Sequence, residues 1–135
     1  MVYAVIDTNI FVSAFITKNA TASTRRVINS LFAGKIKPLY NDEIIEEYSE
    51  VLHRSKFHLA DKDLQRLLYF IQTNGIDSSR FPYDGDMPDE DDRVFYEVAL
   101  SEEDSFLVTG NLKHFPKTPK VVTAAQMMEI LDYEE

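Results

Sequence analysis

The chain begins with MVYAVIDTNIFVSA (residues 1–14), in which a short apolar run ends abruptly at Asp7. Residues 2–6 are rich in β-formers and are bounded by polar side chains, a pattern that predicts a buried strand. A buried strand favours an open α/β sheet, and such sheets bind their ligands beyond the carboxyl ends of the strands. Asp7 therefore stands where an α/β protein carries out its chemistry. The competing interpretation is that Asp7 or Thr8 only caps the next turn, because both residue types cap helices well.

The composition is that of a globular protein. The chain has 135 residues, of which 44% are hydrophobic and 27% charged, and this predicts a single domain over residues 1–135. No apolar run reaches the roughly eighteen residues of a membrane span, and no basic region precedes the first apolar run as in a signal peptide. Cysteine is absent. Its absence excludes disulfides, thiolate catalysis and cysteine–zinc sites, and it fits a cytoplasmic protein.

The net charge of −9, from 23 acidic and 14 basic residues, argues against a protein that coats nucleic acid with a broad basic surface. It does not exclude a nuclease, because a divalent metal held by carboxylates supplies positive charge locally. The basic residues that could contact phosphate are scattered, and each is more simply a solvated surface residue. They are Lys35, Lys37, Arg54, Lys56, Arg93, Lys113, Lys117 and Lys120.

Strand and helix patterns alternate along the chain. Strand patterns cover residues 2–6, 36–40, 105–109 and 121–122. Helical periodicity covers residues 21–32, 42–54, 61–75 and 91–100. A capping-box pattern from Thr123 to Gln126 predicts the start of a last helix. This alternation predicts a parallel sheet with helices on both faces.

Two acidic side chains border apolar helix faces. Glu47 flanks the apolar face of the helix predicted over residues 42–54, where a lone carboxylate costs free energy unless it is paired or bound to a metal. Its simpler interpretation is an edge residue that reaches water. Asp92 borders the apolar face of the helix predicted over residues 91–100. The acids at 89–92 suit the positive end of a helix dipole, although four of them exceed what one helix end requires.

The strand predicted over residues 105–109 delivers Thr109, Gly110 and Asn111 to its carboxyl end. If this strand neighbours the first one, Asn111 lies close to Asp7. The simpler interpretation of the Gly110–Asn111 pair is an ordinary turn, because both residue types are common in turns.

Four segments follow one another in a recognisable order, namely IDTNIFVSA, NDEIIEEYSEVLHR, DEDDRVFYEVAL and SFLVTGNLKHFP. Together they resemble a known family, the PIN domain, in its bacterial toxin-like (VapC-like) branch, and the resemblance extends from Tyr3 to about Leu131. It implies a three-layer α/β/α sandwich with a central, mostly parallel sheet. It further implies a metal-dependent endoribonuclease that cleaves single-stranded or structured RNA. Such proteins are often the toxin half of a toxin–antitoxin pair, act in the cytoplasm and form homodimers.

The resemblance also implies the site residues. The family's metal-binding acids correspond to Asp7, Glu47 and Asp92, and Asp91 competes with Asp92 for the third position. Oxygen ligands of this kind suit Mg²⁺ or Mn²⁺. Crowding of carboxylates predicts that at least one has a raised pKa in the absence of the ion.

Two positions depart from the family pattern. Asn111 stands where a further acid is common and is taken as the fourth catalytic residue, because its amide oxygen can approach a metal or its water. His114 stands nearby, where aspartate is often found, and could contact phosphate or the leaving group. Thr8, Asn9 and Thr109 are expected to orient the carboxylates. The bound ion would orient and activate a water and stabilise charge on the scissile phosphate.

Three other functions stay open at this point. A phosphohydrolase that uses Asp7 as a covalent nucleophile resembles a pattern with a second aspartate two residues later, where this chain has Asn9. A receiver-like signalling domain needs a lysine after a late strand, and Lys113 is poorly placed for it. A catalytically silent PIN fold that binds nucleic acid or protein is favoured by Asn111 and His114, the two departures from the family pattern.

Overall fold

The computed structural model describes residues 1–134, and its strands form one parallel five-stranded sheet in the order β3-β2-β1-β4-β5. The strands are β1 (Val2–Ile6), β2 (Ile36–Tyr40), β3 (Ile76–Asp77), β4 (Phe106–Val108) and β5 (Val121–Val122). β1 lies at the centre, where Ala4 pairs with Pro38 of β2 and Ile6 pairs with Val108 of β4. The prediction of a mostly parallel sheet is confirmed.

The described residues form six α-helices, five of them between strands and the last after β5. They are α1 (Thr8–Ile16), α2 (Ser23–Phe32), α3 (Asp42–Leu52), α4 (Asp61–Asn74), α5 (Arg93–Leu100) and α6 (Ala124–Tyr133). α2 packs against α1 and α6, whereas α3 packs against α4 and α5. The sheet and its helices form the three-layer α/β/α sandwich predicted from the sequence. α1 and β3 occupy segments where the sequence patterns predicted neither helix nor strand.

Local signals account for several of the element ends. The Asn41 side chain accepts a 2.9 Å hydrogen bond from the backbone N–H of Ile44 and so caps α3. The predicted capping box of α6 is confirmed, because both reciprocal bonds between Thr123 and Gln126 are formed. α4 ends at Gly75, where a Cβ atom would lie 2.5 Å from the carbonyl oxygens of Ile71 and Pro38. Only glycine fits that close approach.

The core fixes the carboxyl end of β1. Tyr48 of α3 is 2% exposed and packs edge-on against Phe11, with ring centroids 5.0 Å apart. Its hydroxyl donates a hydrogen bond to the carbonyl oxygen of Ile6, the last residue of β1. α3 is thereby held over the end of the central strand, so the residues that follow Ile6 meet the side chains of α3.

The predicted domain of residues 1–135 ends at Glu135, which lies outside the described residues. Within residues 1–134, every helix is too short or too polar to cross a membrane.

Candidate metal centre

Asp7 lies at the carboxyl end of the central strand, between the ends of β2 and β4. Its backbone N–H donates a 2.9 Å hydrogen bond to the carbonyl oxygen of Val108, the last residue of β4. The residue is 5% exposed. It occupies the N-cap position of α1, but its side chain makes no capping hydrogen bond. The backbone N–H groups of Thr8 and Asn9 nevertheless act to lower the pKa of Asp7, so the start of α1 does favour the charged carboxylate.

The Asp7 carboxylate instead accepts a 2.7 Å hydrogen bond from the hydroxyl of Thr109, the residue that follows β4. Burial raises the pKa of Asp7 above its ordinary value, while the Thr109 hydrogen bond opposes that rise. Thr109 itself is fully buried and also accepts a 3.0 Å hydrogen bond from the backbone N–H of Asn111. One hydroxyl thus fixes both the carboxylate and the turn after β4.

Glu47 reaches the same region from α3. Its Oε2 accepts a hydrogen bond from the hydroxyl of Thr8, the residue next to Asp7. Burial is the main cause of a raised pKa at Glu47, and the negative charge of Asp7 adds to it. The expectation that Thr8 and Thr109 contact the carboxylates is confirmed by these bonds. Asn9, expected in the same role, accepts a 3.1 Å hydrogen bond from the backbone N–H of Gly110 instead.

Asp92 approaches from the start of α5, at the end of a short 3₁₀ helix over Glu90–Asp92. Its side chain is 14% exposed, and its Oδ2 is buried without a hydrogen-bond partner among the described residues. Burial and then the negative charge of Asp7 raise the pKa of Asp92 to about 7. Repulsion among the carboxylates was predicted and is present, but burial is the larger cause. A buried carboxylate oxygen without a donor marks a place for a cation.

Asp92 has two further neighbours that carry metal-binding atoms. One ligand atom each from Asp89, Asp92 and His114 lies within 4.8 Å of the other two. Nδ1 of His114 is 3.3 Å from Oδ2 of Asp92. Within residues 1–134, Asp7 and Glu47 join no group of three that meets this separation. The charges of Asp7, Glu47 and Asp92 thus act on one another. That these three acids bind one metal ion stays a prediction.

The remaining predicted positions are Asn111, in the turn after β4, and Asp91, in the 3₁₀ helix before α5. The Asn111 side chain accepts a 3.3 Å hydrogen bond from the backbone N–H of Lys113, so its amide oxygen takes part in the turn after β4. Asp91, the competitor of Asp92, is exposed. Its charge contributes to the raised pKa of Glu47, but it is not part of the cluster around Asp92.

The sequence interpretation missed the grouping of Asp89 with Asp92 and His114. The acids at 89–92 were interpreted as a group that suits a helix start, and Oδ1 of Asp89 does accept a 3.0 Å hydrogen bond from the backbone N–H of Asp91. The spacing of three between the two aspartates was a usable signal, because residues i and i+3 of a helical turn share a side. No local sequence pattern indicated that His114 lies beside Asp92.

A buried network holds the helix that carries Asp92. Glu97 of α5 is 7% exposed, and it accepts hydrogen bonds of 2.7 Å from Nε of Arg80 and 2.9 Å from the backbone N–H of Tyr83. Arg80 also contacts Glu43 of α3 at 2.9 Å. The loop before α5 is therefore tied to both helices that bring acids to the site.

The donor set fits a divalent cation. Asp89, Asp92 and His114 place three potential ligand atoms together, the charges of Asp7 and Glu47 act on Asp92, and Oδ2 of Asp92 is buried without a hydrogen-bond partner among the described residues. In open α/β sheets, ligands bind at the carboxyl edge where the strand order reverses, which in this sheet is beside β1. Metal-binding sites of nucleases use such carboxylates.

Comparison with known proteins agrees with this geometry. The family model described as PIN domain matches residues 3–113, a range that includes Asp7, Glu47, Asp92 and Asn111 and stops one residue before His114. A comparison with curated proteins found no match. PIN domains are generally metal-dependent nucleases and typically bind a divalent metal. The five-stranded parallel sheet, the acids at its carboxyl edge and the match over most of the chain agree, and this protein belongs to the PIN-domain family.

Proposed function

We propose that this protein is a metal-dependent endoribonuclease whose centre is the acidic site at the carboxyl end of β1. The observation that carries the proposal is Oδ2 of Asp92, which is buried without a hydrogen-bond partner among the described residues and experiences the negative charges of Asp7, Asp89 and Glu47. The negative charges of Asp7 and Glu47 both act to raise the pKa of Asp92. The family membership supports a nuclease, and a site of this charge requires a cation before it can admit a phosphodiester.

The residues that would hold the ion are Asp7, Glu47 and Asp92, with Mg²⁺ or Mn²⁺ as the ions that suit carboxylate oxygens. When bound, such an ion supplies positive charge for the scissile phosphate and for the attacking water. Thr109 and Thr8 keep the carboxylates of Asp7 and Glu47 oriented through their hydrogen bonds. Asn111 is the fourth proposed catalytic residue, and it acts from the turn that follows β4.

A cavity in the loop that follows β4 supports a nucleic-acid substrate. Leu112, Phe115 and Lys117 of this loop line the cavity, which has a volume of about 560 Å³. Exposed apolar surface and lysines suit the bases and phosphates of single-stranded RNA. Lys113 and Lys117 form no ion pair with a described acid, so both charges remain available to phosphate in a chain of net charge −9.

We further propose that the protein is the toxin half of a toxin–antitoxin pair, acts in the cytoplasm and forms a homodimer. The support is the toxin-like pattern of the four segments quoted above. Controlled expression in a bacterial host tests the toxin role, because growth arrest that the Asp7→Asn variant does not cause is the expected result. Normal growth with the wild-type protein would contradict it.

The catalytic proposal is tested by incubating the purified protein with a mixed RNA pool and with single-stranded DNA, in Mg²⁺ or Mn²⁺, with and without EDTA. RNA fragments that appear only with the ion are the expected result. Intact RNA with both ions would overturn the proposal and favour the silent binding module. The position of Asn111, whose amide oxygen is engaged in a turn, is the observation that favours that second function.

A further inference from the structure

His114 is held in place by the turn that follows β4. The turn forms a short 3₁₀ helix over Leu112–His114, in which the backbone N–H of His114 donates a 3.1 Å hydrogen bond to the carbonyl oxygen of Asn111. The Asn111 side chain fastens the same turn through Lys113. The imidazole is 45% exposed, so it has room to face a ligand that arrives from solvent.

The approach of His114 to Asp92 is close without being a hydrogen bond. Nδ1 lies 3.3 Å from Oδ2 of Asp92, yet Oδ2 has no hydrogen-bond partner among the described residues. With a protonated imidazole this separation is that of an ion pair, and with a neutral imidazole both atoms can direct lone pairs to one shared cation. Adjacent ligand atoms on one ion are about 3 Å apart when the bonds are about 2.0–2.3 Å long and meet at right angles.

The charges around Asp92 also favour a cation at this point. Asp7, Asp89 and Glu47 each act unfavourably on the charged form of Asp92, and His114 is the group that acts favourably. A carboxylate of Asp89 completes a set of three donor atoms within 4.8 Å. The set contains two oxygens and one nitrogen, whereas the metal site implied by the family contains oxygens alone.

We propose that the metal ion of this site, bound by Asp92 in the ligand set given above, is also bound by Nδ1 of His114 and by a carboxylate oxygen of Asp89. The nitrogen ligand shifts the preference of the site from Mg²⁺ toward transition ions, strongly for Co²⁺ and to a smaller extent for Mn²⁺. The reason is that imidazole nitrogen binds transition ions better than it binds Mg²⁺, whose preferred ligands are carboxylates and water. This inference rests on the proposed metal site but not on RNA being the substrate.

The test uses the intact protein and metal ions alone. Electron spin-echo modulation spectra of the bound Mn²⁺ detect a directly bound ¹⁴N nucleus, and calorimetric titrations give the Kd for Mn²⁺ and for Mg²⁺. The variants are His114→Ala, His114→Asp and the matched control His53→Gln. His53 is a surface imidazole that contacts Asp61 at 2.8 Å and is not part of the Asp89, Asp92 and His114 group.

We expect a ¹⁴N coupling in the wild type and in His53→Gln that is absent from both His114 variants. We expect His114→Ala to raise the Kd for Mn²⁺ by about 10- to 100-fold. Loss of a residue that only hydrogen-bonds to a metal ligand already weakens metal affinity by this factor, and His114 is proposed to bind the metal directly. The ratio of the Mg²⁺ Kd to the Mn²⁺ Kd should fall in His114→Asp, since that variant restores an oxygen ligand.

Bound Mn²⁺ without ¹⁴N coupling, or no Mn²⁺ binding at all, would overturn the inference. RNA cleavage measured on the same samples separates this outcome from failure of the proposed function. Cleavage without nitrogen coupling removes His114 as a ligand and leaves the nuclease intact. Coupling without cleavage leaves the ligand assignment intact and removes the nuclease.

Discussion

Thr109 donates a 2.7 Å hydrogen bond from its hydroxyl to Oδ2 of Asp7, a residue 102 positions earlier in the chain. The bond joins the carboxyl ends of β1 and β4, the two strands between which the site lies. Thr109 is fully buried, so no solvent replaces the donor if the hydroxyl is removed. The orientation of Asp7 thus depends on a residue that would not itself contact substrate.

We expect Thr109→Val to lower metal-dependent cleavage by about 10- to 100-fold, because the loss of an outer partner of a metal ligand has effects of this size. The protein should also lose roughly 1–3 kcal/mol of unfolding free energy, because Asp7 and the N–H of Asn111 lose a buried partner. Thr109→Ser is the matched control, because it keeps the hydroxyl. Wild-type cleavage rates in Thr109→Val would contradict the positioning role.

The raised pKa of Asp92 makes the stability of the metal-free protein depend on pH. The folded protein holds the Asp92 proton up to a pKa of about 7, whereas the ordinary value is 3.8. The folded state therefore binds more protons between these values, and the free energy of unfolding should fall as pH rises from about 4 to about 7.

Asp92→Asn removes that charge, so in EDTA at pH 8 we expect the variant to be more stable than the wild type by roughly 1–3 kcal/mol. At pH 4 the two proteins should be similar. Urea unfolding across this pH range measures the difference, and the slope with pH should become shallower in the variant. A variant that is less stable than the wild type at pH 8 would show that burial of this carboxylate is not unfavourable.

The Glu97–Arg80 pair should contribute to stability rather than to chemistry. Glu97→Ala is expected to lower the free energy of unfolding by roughly 2–4 kcal/mol at pH 7. This is below the about 3–5 kcal/mol for breaking a fully buried pair, because 33% of the Arg80 side chain is exposed. Glu97→Gln is the milder control, because it keeps an oxygen for the N–H of Tyr83. Equal stability of Glu97→Ala and wild type would contradict the role.

The stability contributed by the Glu97–Arg80 pair depends on pH with the opposite sign to that of Asp92. Burial acts to raise the pKa of Glu97, but hydrogen bonds from Tyr83 and Arg80 outweigh it and lower the pKa below the ordinary 4.5. The contribution is therefore complete above about pH 4.5 and is lost as pH falls through the folded pKa. The difference between wild type and Glu97→Gln should shrink in acid, as urea unfolding below pH 4 would reveal. A difference that grows in acid would contradict this sign.

Metal binding should stabilise the fold, since the ion binds the native site and not the unfolded chain. At a free Mn²⁺ concentration of about 100 times Kd, we expect the free energy of unfolding to rise by about 2.7 kcal/mol. EDTA should reverse the effect, and Asp92→Asn should reduce it. Potassium chloride at equal ionic strength is the control, and an equal rise with that salt would mean that screening, not site binding, is responsible.

The sequence was sufficient for elements with strong local signals. β1 and β2 have the predicted bounds, and the capping box correctly started α6. α1 was missed because TNIFVSAFI is apolar on most sides and shows weak helical periodicity. β3 was missed because it has two residues at the edge of the sheet and forms only by pairing with β2.

The site residues also differ in how well the sequence predicts them, according to whether they leave a local pattern. Asp7, Glu47 and Asp92 were recognisable as acids at a strand end and beside apolar helix faces. The contact between His114 and Asp92 depends instead on the sheet order, which sets the turn after β4 beside the start of α5. The burial of Glu97 depends on Arg80, which is 17 residues earlier in the chain. Neither pairing leaves a periodic pattern in the sequence.

The most direct measurement compares Asp7→Asn with Asp132→Asn in Mn²⁺-dependent cleavage of RNA. Both variants remove one negative charge, but Asp132 is exposed on α6. We predict that Asp7→Asn lowers the cleavage rate by more than about 100-fold, since it removes a proposed ligand and not merely its outer partner, whereas Asp132→Asn cleaves like the wild type. Equal cleavage by Asp7→Asn and the wild type would contradict a nuclease centred on Asp7.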